Sequence, residues 1–133
     1  YRRLEEIDPK GETPAAFQAL LAAGEALENQ GNTGEAMELY LQAESRGKKS
    51  ADLYNHMGIC RLKEEDYADA QSYFDKGLWS EDAASVPELL FNKAVACEYQ
   101  GDFAKALELM NQYVEAGGED QEALREIEFL KTR

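Results

Sequence analysis

The side chains best suited to chemistry fall on one short line: His56, Cys60 and Glu64, at i, i+4 and i+8 of a predicted helix. An imidazole, a thiolate and a carboxylate spaced by single turns share a helix face and can in principle ligate a metal ion. A structural site needs four ligands, and a lone His–Cys pair, with His56 the single histidine of the chain, lacks further close ones. Cys97 has no basic side chain placed to lower its pKa, so it reads as a small core residue and not as a nucleophile. The two cysteines cannot form a disulfide framework and are not spaced as a zinc site. The phosphate loop GxxxxGKS/T, the dinucleotide pattern GxGxxG, the zinc motif HExxH and the EF-hand loop are all absent. Glu64-Glu65-Asp66 is a charge run at a turn, the usual place for solvated carboxylates. The expectation is a chain with no catalytic site, no metal and no cofactor.

Composition narrows the partners. The 133 residues make about one domain, and 44% hydrophobic with 31% charged residues is too apolar for a disordered chain. No run of apolar residues is long enough to span a bilayer. Fourteen Lys and Arg against 27 Asp and Glu leave a formal charge of −13, which repels phosphate backbones and anionic lipid head groups. Nucleic acid and direct membrane binding are therefore unexpected, and a protein or peptide partner is left. The chain shows neither a signal peptide nor an initiator Met, so it is expected to be cut from something longer. The sequence assigns neither a compartment nor an oligomeric state.

The elements that would carry such a surface are repeated. Gly24 and Ala36, Gly58 and Ala70, and Ala94 and Ala106 recur at one spacing, each pair followed after four residues by Tyr40, Phe74 or Met110. Four residues before the first small residue stand Leu20, Tyr54 and Leu90. Between the small residues lie polar turns, Gln30-Gly31-Asn32, Glu64-Glu65-Asp66 and Gln100-Gly101-Asp102. Each unit reads as two amphipathic helices in a hairpin, with the small residues letting the axes approach and the large ones filling space around them. Asn32, Asp66 and Asp102 stand at N-cap positions, Thr13-Pro14 opens the first hairpin, and Ser85 with Glu88 has capping-box spacing before the third. The spacing predicts helices over 14–30, 33–46, 51–64, 67–79, 86–100, 103–116 and 119–132, with a helical fragment at 1–7. Strands are not expected, because no period-2 alternation occurs.

Leu-Leu-Ala-Ala-Gly at 20–24, Gln-Gly-Asn at 30–32, Tyr54-Asn55-His56-Met57-Gly58, Asp66-Tyr67 with Ala70, and Gln100-Gly101-Asp102-Phe103 with Ala106 resemble the signature of the tetratricopeptide repeat (TPR) family. The resemblance implies an all-α fold, an open α-solenoid (right-handed superhelix) of antiparallel helix pairs, with repeats at 17–50, 51–84 and 87–120. Tyr1, Leu4, Ile7 and Asp8-Pro9 resemble the end of a preceding repeat's second helix, so 1–9 is expected to be its remnant. Residues 119–133 are expected to form a C-terminal capping helix, with Leu124, Ile127 and Leu130 facing inward and Glu128 blocking further stacking. Arg61 and Lys93 occupy positions the family usually fills with large apolar residues; their stems are expected to pack while their charged heads snorkel out.

In this family the first helix of each repeat lines a concave groove. The resemblance places Leu21 and Glu25 there from the first repeat, Asn55, Ile59 and Leu62 from the second, and Glu88, Phe91, Val95, Glu98 and Tyr99 from the third. The expected groove is an apolar floor among carboxylates, suited to a peptide or helix carrying apolar and basic residues. The family's dicarboxylate clamp for chaperone tails needs Lys, Asn and Arg where this chain has Leu21, Glu25, His56, Glu88 and Asn92, so that mode is not expected. The leading expectation is a protein–protein interaction module; the alternative is a structural spacer or self-association module with no groove ligand.

Overall fold

The computed structural model describes residues 14–46, 50–117 and 120–132, which fall into two compact units, 1–49 and 50–133. The first unit contains α1 (Pro14–Asn29) and α2 (Thr33–Ser45). The second contains α3 (Ala51–Lys63), α4 (Tyr67–Leu78), a short 3-10 turn (Ala83–Ser85), α5 (Glu88–Tyr99), α6 (Phe103–Glu115) and α7 (Gln121–Lys131). The described residues include no strand, and the helices match the predicted segments to within two residues at every described end. The expected remnant at 1–9, its helical fragment and Thr13 lie outside the described residues.

The hairpins close on the small-to-large contacts that the spacing predicts. Ala36, Ala70, Ala94 and Ala106 are fully buried. A methyl group added at Gly24 would run into the Tyr40 ring, and one at Gly58 into the Phe74 ring. The third hairpin carries Ala94 at the matching place, where its partner is the flexible Met110 in the same buried cluster. Gly77 adds a contact that the repeat spacing does not reveal: a Cβ there would lie 2.7 Å from Leu89, so its absence lets α4 and α5 touch.

Each hairpin turn is a Schellman end that becomes the next helix start. Asn32, Asp66 and Asp102 N–H groups reach back to the Leu27, Arg61 and Cys97 carbonyls at 2.9 Å, across Gly31, Glu65 and Gly101 with φ of 85°, 64° and 85°. Glu65 is the exception in this left-handed position, which costs a residue with a Cβ more than it costs glycine. Asp66 and Asp102 then cap α4 and α6 by accepting from the Asp69 and Lys105 N–H groups at 3.3 and 3.2 Å. Asn32 does not cap α2; its neutral amide donates to Gln30 Oε1 at 3.5 Å, whereas the Asp carboxylates also gain from the helix dipole.

Two further expectations change. Ser85 does not form a capping box with Glu88: its hydroxyl donates to the Asp82 carbonyl at 2.7 Å inside the 3-10 turn, and α5 starts after Pro87, whose ring holds φ at −61°. The Asp82 carboxylate accepts instead from the Ala51 N–H at 2.9 Å, tying this connection to the start of α3. On α7 the inward stripe is Ala123, Ile127 and Leu130, while Leu124 is 50% exposed. Position 123 completes the i, i+4, i+7 line and 124 falls on the next face, with Glu128. Arg61 and Lys93 behave as expected of snorkelling cations: Arg61 reaches Glu64 and Asp69, both at 2.8 Å, and Lys93 reaches Asp75 at 2.6 Å.

Candidate peptide-binding groove

The groove is built within the second unit by the open sides of α3, α5 and α7. On α5, Leu89, Ala94, Ala96 and Cys97 point into the core, which leaves Phe91, Val95, Glu98 and Tyr99 along the opposite side. Phe91 and Val95 pack on the α5–α6–α7 core while keeping part of their surface, and Ile59 and Leu62 of α3 do the same on the α3–α4–α5 core. Tyr99 is 64% exposed and stacks flat on Tyr67, with ring centroids 4.4 Å apart. Phe91 meets the edge of Tyr113 at 5.3 Å.

Three connected hollows open on this side. One of about 470 Å³ between α3 and α5 is floored by Ile59, Leu62, Val95, Tyr67 and Tyr99. A second, about 450 Å³, lies between α5 and α7. A third, about 220 Å³, joins Ile59, Phe91 and Asn92 to Glu88, Asp120 and Glu122. Ile59, Phe91, Val95 and Tyr99 each line two of them, so the hollows form one strip. Their charge is mainly negative, with Glu65, Glu88, Glu98, Asp120, Glu122 and Glu126 against Lys63.

Two expected groove residues offer little to a ligand. Leu21 is buried at 4% exposure in the first unit, a correction to its expected place on an open floor: it serves the core of α1. Asn55 is also buried, with its carbonyl accepting from the Asn92 side-chain amide at 2.8 Å. A buried amide needs a partner, and this hydrogen bond gives the Asn55 carbonyl one across α3 and α5. Glu25 is half-buried in the first unit. Ile59, Leu62, Phe91, Val95 and Glu98 are half-buried in the second, and Glu88 is exposed. The sequence reading missed Tyr67, Phe103, Glu122, Glu126 and Phe129, which also line the strip. The i, i+4, i+7 spacing of Glu122, Glu126 and Phe129 was the available signal.

The groups considered for chemistry are dispersed. Cys60 is sealed in the core, His56 turns to Asp52 at 3.5 Å, and Glu64 pairs with Arg61. Lys93, one turn before Cys97, does bear on the thiol, contrary to the expectation that no basic side chain is placed to lower its pKa, but burial outweighs its field and pushes the thiol up. Tyr113 is likewise pushed up, by burial first and then by donating its hydrogen bond to Asp120 at 2.9 Å, so its phenol stays neutral in the groove wall. No helix among the described residues is long and apolar enough to cross a membrane.

This assembly of helix hairpins is an all-α solenoid, and solved structures share it. The structure of MamA aligns with 98% of this chain and 72% of its own, at 16% identity and a TM-score of 0.81. The first TPR of Spaghetti (RPAP3), bound to the HSP90 peptide SRMEEVD, aligns with 87% of this chain and 93% of its own, at 16% identity and a TM-score of 0.81. The Arabidopsis OM64 TPR domain aligns with 90% of this chain and 97% of its own, at 13% identity and a TM-score of 0.83. Among curated proteins, none matches the chain. The sequence pattern of the tetratricopeptide repeat matches residues 1–51 and 57–121. The chain belongs to the tetratricopeptide repeat family.

Proposed function

We propose that this chain is a protein–protein interaction module without catalytic activity, whose groove along α3, α5 and α7 holds a peptide or helix bearing apolar and basic residues. Its repeats are read as 17–50, 51–84 and 87–120, closed by the helix within 119–133. The observation that carries the reading is the continuous strip of Ile59, Leu62, Phe91, Val95 and Tyr99, open through three hollows and bordered by carboxylates. Apolar side chains set into it would supply contact energy, and the carboxylates would select and steer cationic segments. The first TPR of Spaghetti binds its peptide as a TPR domain, which supports the class of function. Its peptide SRMEEVD is acidic, and this groove offers like charge at Glu88 with an amide at Asn92 already engaged by Asn55, so the ligand proposed here has the opposite charge.

The test is affinity capture with the whole chain as bait, identification by mass spectrometry, and repetition with Ile59→Ala/Leu62→Ala. Loss of a captured partner in the variant supports the groove. A partner kept by the variant, or self-association with concentration-dependent mass and no groove ligand, contradicts it.

A further inference from the structure

The smallest of the three hollows, about 220 Å³, offers a donor as well as acceptors. Asn55 of α3 and Asn92 of α5 both line it, joined by one hydrogen bond from Asn92 Nδ2 to Asn55 Oδ1 at 2.8 Å. Two amides joined in this way always leave one carbonyl and one amino group over. Here the remainder is Asn55 Nδ2 and Asn92 Oδ1, and among the described residues neither has a hydrogen-bond partner. Asn55 is more than nine-tenths buried, and the hollow it lines is the open route to its amino group. Three carboxylates line the same hollow. Glu88 and Glu122 are exposed and have neither a hydrogen-bond nor a cationic partner among the described residues. Asp120 is pinned, with one oxygen accepting from the Ala123 N–H at 2.7 Å and the other from the Tyr113 hydroxyl at 2.9 Å. The fields of all three reach the Tyr113 phenol, so they converge on one place. Among the described residues no Lys, Arg or His lines the hollow. Ile59 and Phe91 supply its apolar side and continue into the two larger hollows.

We propose that this hollow captures the free amino terminus of the bound segment, with an apolar first residue. The proposal rests on reading the strip as the peptide site and adds where the segment starts: its first residue sits here and the chain runs on along the strip. The ammonium takes Glu88, Glu122 and Asn92 Oδ1, and the carbonyl of the same residue accepts from Asn55 Nδ2. The first side chain lies on Ile59 and Phe91. Other groups fit less well. A lysine or arginine head carries only donors, so it leaves Asn55 Nδ2 unmatched, and a buried donor without an acceptor weakens binding. A carboxylate end suits Asn55 but meets three like charges. A main-chain amide from the middle of a segment suits both asparagines but brings no charge to Glu88 and Glu122. The position agrees with a terminus. Glu88, Phe91 and Asn92 come from the first two turns of α5, and Asp120 and Glu122 from the start of α7, so the hollow lies at one end of the strip.

The test uses the whole chain, isotope-labelled, with leucinamide as the probe and chemical shifts of backbone and asparagine side-chain amides as the readout. Saturable shifts should centre on Asn55, Glu88, Phe91, Asn92 and Glu122. N-acetyl-leucinamide, which lacks the ammonium, should bind about tenfold or more weaker, and isoamylamine, which lacks the carbonyl, about threefold or more weaker. N-acetyl-lysinamide, whose ammonium stands on a side chain, should also bind about threefold or more weaker. Raising the solution from about pH 7 to about pH 9 should weaken leucinamide by about tenfold, because an α-amino group loses its proton near pH 8. Glu88→Gln/Glu122→Gln should weaken it by about fivefold, whereas the exposed pair on α2, Glu35→Gln/Glu38→Gln, should change it by less than about twofold. Asn55→Ala should weaken leucinamide by about threefold and leave isoamylamine within about twofold, a difference that a merely structural role would not produce. Shifts that spread without saturating, equal binding of the acetylated or lysine probe, an unaffected Glu88→Gln/Glu122→Gln variant, or equal losses of both amines in Asn55→Ala would each overturn the proposal. Partner capture that survives Ile59→Ala/Leu62→Ala would instead reject the strip as the peptide site, so the two failures are read apart.

Discussion

Helix α5 has two sides that obey different rules. Ala94, Ala96 and Cys97 on one side are sealed against α4, α6 and α7, where the permitted volume is set by the neighbour across the contact. Phe91, Val95 and Tyr99 on the other side keep large side chains partly in water. Helix α3 repeats the division, with Gly58 and Cys60 sealed and Ile59 and Leu62 half-open. Small residues are thus placed where helices must approach, and large ones where nothing in the described chain covers them. Changes on the sealed side should lower stability, and changes on the open side should lower partner binding.

The largest effect should come from Gly58→Ala. Its new methyl has no room beneath the Phe74 ring, and overpacking of this kind should cost about 3 kcal/mol, read as a fall in Tm. Ala94→Gly probes the matching site of the third hairpin in the opposite sense and should cost only about 1 kcal/mol, mostly helix propensity. Ala70→Leu should overpack the α3–α4 contact by about 2 kcal/mol, and an unchanged Tm would mean that the register of that hairpin is wrong.

Tyr99→Ala should break the symmetry between the two sides. It removes an exposed ring and its stack on Tyr67, so folding should lose about 1 kcal/mol or less while binding of a captured partner loses about 2 kcal/mol. Equal losses in calorimetric stability and in titrated affinity would erase the distinction. Glu88→Gln should have the smallest effect, lowering the association rate and its salt dependence with little change in dissociation.

The fold was legible because the matched Gly/Ala and large residues report close helix contacts directly, and because a polar triplet ending in Asn or Asp recurs at all three turns. The site was legible only where a first-helix position is also open. Leu21 and Asn55 sit at the family's groove positions, yet local packing took the first and an Asn92 amide took the second, and neither event is visible in residue spacing. Leu124 was misplaced because its hydrophobicity outweighs that of Ala123, although geometry needs the smaller residue inside. Glu122, Glu126 and Phe129 share a side face of α7, and only its position opposite α5 makes that face part of the strip.

The most direct test of the account is titration of a captured partner against Phe91→Ala, with Ser72→Ala on α4 and Glu108→Ala on α6 as exposed outer-surface controls. Phe91 lines two of the three hollows, so its removal should weaken binding by about 2 kcal/mol while the outer variants bind as the parent chain does. If Phe91→Ala binds like the parent and the α4 and α6 variants abolish binding, the functional face is the outer one and the groove assignment is wrong.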